Sequence, residues 1–99
     1  MSEQNIELKA FEEKVNAQLQ QLKSQLGEFE TRAKGQAAQG EIDTINRLKS
    51  KHEELDKKRQ QLKTVGDAKA DQVKAELDAE VSKLKTSLAD LNTRLKKAG

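Results

Sequence analysis

The sequence predicts an all-α fold: an antiparallel up-down-up three-helix bundle with coiled-coil-like heptad packing. Three observations predict it. The 99 residues contain no proline, so nothing in the chain forbids long uninterrupted helices. Three segments are dominated by Glu, Lys, Gln, Leu and Ala, which are strong helix formers. Two glycine-marked breaks, Gly35 to Gly40 and Val65-Gly66-Asp67, separate those segments. The helices are placed at about 3–34, 40–65 and 67–97, within one domain that spans 1–99.

The first segment carries an apolar stripe of Leu8, Phe11, Val15, Leu19, Leu22, Leu26, Phe29 and Ala33. Steps of three and four residues keep these side chains on one helical face. The third segment repeats the stripe as Ala70, Val73, Leu77, Val81, Leu84, Leu88, Leu91 and Leu95, each 62 positions after its counterpart. Both stripes contain two successive four-residue steps, a stutter in the heptad pattern. Helices that share a stutter at the same level can run parallel and stay in register.

The middle segment supplies Ile42, Ile45, Leu48, His52, Leu55, Arg59, Leu62 and Val65. Run antiparallel, it matches both neighbours level by level, so that Leu19, Leu55 and Val81 form one layer. Only His52 and Arg59 among the layered residues are polar. Met1 and Ile6 are the large apolar residues left outside. Eight such layers would stack over about 38 Å at ~1.5 Å per residue.

The breaks follow from turn chemistry. Gly66 suits the position just past a helix C-terminus, and Asp67 suits an N-cap. Residues 36–39 hold no breaker of their own and can extend either neighbouring helix. In the third segment, acids crowd the start and Arg94, Lys96 and Lys97 the end, which complements the helix dipole. Leu22-Lys23-Ser24-Gln25-Leu26 is similar to Leu84-Lys85-Thr86-Ser87-Leu88, and Thr31-Arg32 to Thr93-Arg94. Duplication and shared heptad phase both account for this.

Composition narrows function. Cysteine is absent, which removes disulfides, thiolate nucleophiles and Cys-based zinc sites. Phe11 and Phe29 are the only aromatic residues, too few for base-stacking platforms or aromatic binding hot spots. Lysine and arginine number 19 against 17 acids, a net charge of +2, and no third of the chain is a polycation. Charge therefore gives no sign of nucleic acid. The first residues lack a signal-peptide pattern, and no apolar run approaches a membrane span. The expected location is cytoplasmic.

Few residues invite chemistry. His52 could be read as a metal ligand or a pH sensor, but no second histidine exists to share a metal. The expected state is a ring half packed at a helix interface with one nitrogen wet. Arg59 could set register; the favoured reading is a stem that covers the core while the guanidinium reaches water. Lys57-Lys58-Arg59 and Arg94-Lys96-Lys97 fall at different ends of the bundle, and Glu53-Glu54 precedes Lys57-Lys58 at the i,i+4 spacing of surface ion pairs. Glu12-Glu13 and Glu28 with Glu30 lack the cleft that a catalytic carboxylate pair needs. No nucleotide, zinc-protease or hydrolase motif is present. No catalytic, cofactor-binding or metal residue is assigned, and no cofactor is expected.

Size and three long heptad-striped helices resemble spectrin-type modules in architecture; their aromatic signature, notably a tryptophan in the first helix, is missing here. The Ala/Lys/Glu/Gln surface and 11-residue spacing resemble late-embryogenesis-abundant stress proteins, although these usually lack so full a Leu/Val/Ile stripe. The expectation is a non-enzymatic helical protein serving as a structural or protein-interaction module. A lipid-surface or stress-protective amphipathic protein is the alternative. A protein partner is expected, of unidentified kind. Nucleic acid is disfavoured and membrane weakly so, and a monomer is preferred to a helix-swapped dimer with 35–40 helical throughout.

Overall fold

The computed structural model describes residues 3–98, with side-chain surroundings for 8–66 and 68–97. Met1 and the Ile6 side chain lie outside the described residues. Three helices follow one another: α1 (Glu3–Gly35), α2 (Gln39–Gln61) and α3 (Asp67–Ala98). All three helix pairs touch, and the bundle measures 52 × 17 × 16 Å along its principal axes.

Cross-helix partners fix direction and register. Glu12 meets Arg59, Leu19 meets His52 and Glu30 meets Lys49, so numbers rise on α1 as they fall on α2. Arg32 meets Asn92 and Gln36 meets Leu95, 60 and 59 positions apart, close to the 62-residue offset of the stripes. Thus α1 and α3 run parallel and α2 runs back between them.

Every buried residue among those described belongs to one of the three stripes. Leu19, Leu55 and Val81 are 1%, 0% and 3% exposed, and the core extends to Leu95 at one end and Leu62 towards the other. Each large side chain buried here contributes roughly 1.5–3 kcal/mol before conformational entropy is subtracted. Leu8, Phe11, Ile42, Leu48 and Val73 are half-buried and pack against that core.

The first break differs from the one marked by glycine. The left-handed residue is Ala37, with φ 53°, and no described glycine has positive φ. Ala38 N–H donates to the Ala33 carbonyl at 2.9 Å and Ala37 N–H to Lys34 at 3.1 Å. This pair of bonds is a Schellman closure, and Ala37 occupies the position that usually holds glycine. Ala38 then begins α2 without a side-chain cap. Gly35 and Gly40, expected to mark this break, are helical residues of α1 and α2.

The second break also departs from expectation. Helix α2 ends at Gln61, not Val65. Leu62, Lys63 and Thr64 donate to carbonyls three residues back, the tighter 3₁₀ pattern common at helix ends. β-branched Thr64 and Val65 next to Gly66 favour that early exit. Leu62 remains buried at 2% exposure, so the stripe outlives the helix. Gly66 is not left-handed, and its carbonyl accepts from Lys69 and Ala70 at 3.0 Å. Gly66 therefore holds the N-cap position of α3 that the sequence assigns to Asp67.

Candidate interaction surface

His52 lies on α2 with its ring half-buried at the α1 seam. Nε2 sits 2.7 Å from the Leu19 carbonyl. A carbonyl can only accept, so Nε2 carries the hydrogen in this bond. The ring borders a groove of about 580 Å³ between α1 and α2, with Leu26 and Gly27 on one side and Lys49 and Asp56 on the other. A Cβ added at Gly27 would meet nothing within 4 Å, so close helix contact does not demand glycine there.

Arg59 is more engaged than its sequence position implied. Its side chain is 13% exposed and that of Glu12 is 18% exposed. Nη1 donates to Glu12 Oε1 at 3.0 Å, while Nε and Nη2 both reach Asp56 Oδ1 at 3.0 Å. Lys63 also approaches Glu12 at 3.5 Å. The guanidinium is thus paired across helices, not simply extended into water.

Two further clusters tie α2 to its neighbours. Glu30 accepts from Lys49 of α2 and pairs with Lys34 of its own helix at 3.5 Å. The Lys49 hydrogen bond holds the Glu30 carboxyl below its ordinary value, against some desolvation, with Lys34 assisting. On α3, Glu80 lies 3.1 Å from both Lys51 and Lys58. Burial is the largest single influence on Glu80 and pushes its pKa up, yet Lys51 and Lys58 together outweigh it and the net direction is down. Both lysines are pushed up, chiefly by their hydrogen bonds to Glu80.

The expected i,i+4 pairing of Glu53-Glu54 with Lys57-Lys58 is therefore replaced. Lys58 turns to Glu76 and Glu80 on α3, and Glu54 approaches Lys51 at 3.5 Å. The acidic pairs read from sequence are split in the same way. Glu12 and Glu30 serve inter-helix ion pairs, whereas Glu13 and Glu28 are exposed. Arg94 pairs with Asp90 on its own helix at 3.0 Å, far from the Lys57–Arg59 cluster.

Every ion pair between two helices here involves α2, and Lys63 reaches Glu12 from the turn just after it. Among the described residues, no ion pair joins α1 to α3. Their seam is a groove of about 410 Å³ whose floor is Leu22, Phe29 and Leu88 and whose walls include Gln21, Gln25, Lys85, Ala89 and Asn92. Arg32 Nη1 donates to Asn92 Oδ1 at 3.3 Å towards one end, and the Lys74 ammonium lies 5.3 Å from the Phe11 ring towards the other. No group of three or more metal-ligating side chains occurs among the described residues, and no described helix is long and apolar enough to cross a membrane.

Comparison with family models, with curated proteins and with solved structures returns no match.

Proposed function

We propose that this chain is a non-enzymatic helical module that serves a structural or protein-interaction role. One observation carries the reading: among the described residues every buried side chain is apolar and falls in the three stripes, which run along a 52 Å rod. The bundle spends its apolar surface on itself. What remains for a partner is shape and a patterned polar exterior. A rigid spacer or adaptor needs these two properties, and the coiled-coil-like stripes supply the stiffness.

The phase of the stripes supports action as a monomer. Ala33 and Ile42 end and begin their stripes nine positions apart. Nine residues make about two and a half turns at ~3.6 residues per turn. A helix continuous through 35–40 would put these residues on opposite sides, so one core could not use both. A reversal at Ala37 brings the two faces together. Light scattering of the purified chain is expected to give the monomer mass across a concentration series.

Proximity cross-linking of the full-length protein in its native cell tests the functional reading. The expected result is a reproducible set of cross-linked proteins. Recovery of none, or strong co-sedimentation with anionic vesicles instead, would favour the lipid-surface alternative and remove this one.

A further inference from the structure

We infer that the second connection is a hinge through which two copies of this chain exchange α3. The exchanged form is a dimer in which α2 and α3 of each chain run on as one helix. The inference goes beyond the module reading and does not depend on it.

The two connections differ in what they permit. At the first, a continuous helix would set the stripes of α1 and α2 on opposite sides, and Ala37 turns left-handed at φ 53° to reverse the chain. At the second, the stripes are in phase. Leu55, Arg59, Leu62, Gly66, Ala70, Val73 and Leu77 follow one another by steps of four, three, four, four, three and four. That is the rhythm, stutter included, that orders the stripes of α1 and α3. Leu62 and Val73 are 11 residues apart, about three turns at ~3.6 residues per turn. A helix carried through 62–66 would keep a single apolar face from Leu48 to Leu95.

The backbone is already close to that state. Leu62 is right-handed helical at φ −58° and ψ −24°, and no residue from 62 to 66 has positive φ. Val65 N–H donates to the Gln61 carbonyl at 3.0 Å, the α-helical pattern. The interruption is confined to the next three amides. Among the described residues, the N–H groups of Gly66, Asp67 and Ala68 donate to no carbonyl of the turn. In a continuous helix they would donate to Leu62, Lys63 and Thr64. Gly66 holds the break, because glycine is the poorest helix former in this chain and serves as the N-cap of the folded-back form.

Exchange leaves the core as it is. The α3 of a second copy fits the seam that the chain's own α3 vacates, since the two are identical. Leu19 and Leu55 of one copy would meet Val81 of the other, and Lys51 and Lys58 would pair with Glu80 of the other. The α1–α2 pairs, Glu12 with Arg59 and Glu30 with Lys49, would stay within each copy. Residues 39–98 in one helix would span about 90 Å at ~1.5 Å per residue, against 52 Å for the folded-back bundle. The monomer keeps the advantage at low concentration, because association costs translational freedom. Exchange also requires α3 to leave its seam, so the purified native chain stays monomeric until it is unfolded and refolded at high concentration.

The test unfolds the full chain in urea and refolds it at millimolar and at micromolar concentration, with light scattering as the readout. Dimer is expected after millimolar refolding and monomer after micromolar refolding. Gly66→Ala is expected to lower the concentration at which half the chains are dimeric by roughly tenfold, since alanine favours the long helix and weakens the cap in both copies. The added Cβ would meet nothing within 4 Å and φ at 66 is not positive, so this variant folds in either form. Asp67→Pro is expected to abolish the dimer and keep the monomer, because proline suits the first position of α3 and cannot continue a helix from α2. Ser50→Cys with Thr86→Cys, both at exposed positions, places spin labels level with each other on neighbouring helices. Diluted into unlabelled chain, the labels are expected to lie close together in the monomer. In the dimer they are expected about 54 Å apart, 36 residues along one helix. Monomer alone from the native chain after millimolar refolding would overturn the inference. So would no gain in dimer with Gly66→Ala, a dimer that Asp67→Pro forms equally well, or a dimer whose labels stay close within one chain.

Discussion

Arg59 on α2 donates to Glu12 on α1 across 3.0 Å, at the one layer where the core admits a cation in place of a leucine. Val15 and Leu77, the other members of that layer, are 1% and 0% exposed. Removing only the cation leaves a largely covered carboxylate with Lys63 alone, whereas removing both charges leaves only Asp56, which water already reaches. Arg59→Met alone is expected to lower stability by about 1–2 kcal/mol. Glu12→Gln added to it should recover most of that loss, because methionine completes the layer. Urea denaturation of the two singles and the double gives the coupling.

His52 fills the next polar position of the stripe, level with Leu22 and Leu84. Its bond to the Leu19 carbonyl is an addition, since that carbonyl already lies within the continuous helix α1 and has its intrahelical partner. His52→Leu should therefore leave no unsatisfied group and should bury more apolar surface, about 1 kcal/mol at most. The expected outcome is an unchanged or raised thermal midpoint. A clear fall would mean that the ring contributes more than its packing and single bond indicate.

Ala37 concentrates backbone strain in the first connection. Alanine at φ 53° is disfavoured by roughly 1 kcal/mol relative to glycine in the same conformation. Ala37→Gly is expected to stabilise the protein by about 0.5–1 kcal/mol, despite the greater freedom of glycine in the unfolded chain. Gly35→Ala and Gly40→Ala are expected to stabilise it too, because both sites are helical and open to a Cβ. Alanine and glycine thus trade their usual places here. Chemical denaturation of the three variants checks the sign of each change.

The Glu80 cluster gives a pH signature. The folded pKa of Glu80 is depressed, so its contribution is present above the ordinary glutamate value and is lost as pH falls through the folded value. Lys51 and Lys58 are raised, so their contribution is whole below the ordinary lysine value and is lost as pH rises through the folded one. Stability should be flat between these limits, with an acid arm below about pH 4.3 and an alkaline arm above about pH 10.4. Glu80→Gln should shrink both arms and lower the plateau by roughly 0.5–1 kcal/mol, as partly exposed pairs do. Thermal midpoints measured across pH for the native chain and Glu80→Gln test this.

The stripes made the fold legible. Heptad spacing, the shared stutter and the 62-residue offset suffice to place Leu19, Leu55 and Val81 in one layer, because side-chain periodicity is set by helix geometry alone. The turns were less legible. Glycine permits left-handed conformation without requiring it, and tertiary closure placed that conformation at Ala37. Likewise, β-branching at Thr64 and Val65 ended α2 early even though Leu62 stays in the core.

Partners of the long charged side chains were the least legible. Local spacing pointed Lys58 at Glu54, but a lysine at a helix seam can reach the next helix, and there it finds Glu76 and Glu80 together. Arg59 reached Glu12 for the same reason.

Methyl nuclear Overhauser contacts among Leu19, Leu55 and Val81 address the architecture most directly, recorded on a mixture of labelled and unlabelled chains so that intrachain pairs are distinguished. Contacts from Leu55 to both Leu19 and Val81 within one chain are expected. Their absence, or their appearance only between chains, would contradict the folded-back middle helix and everything built on it.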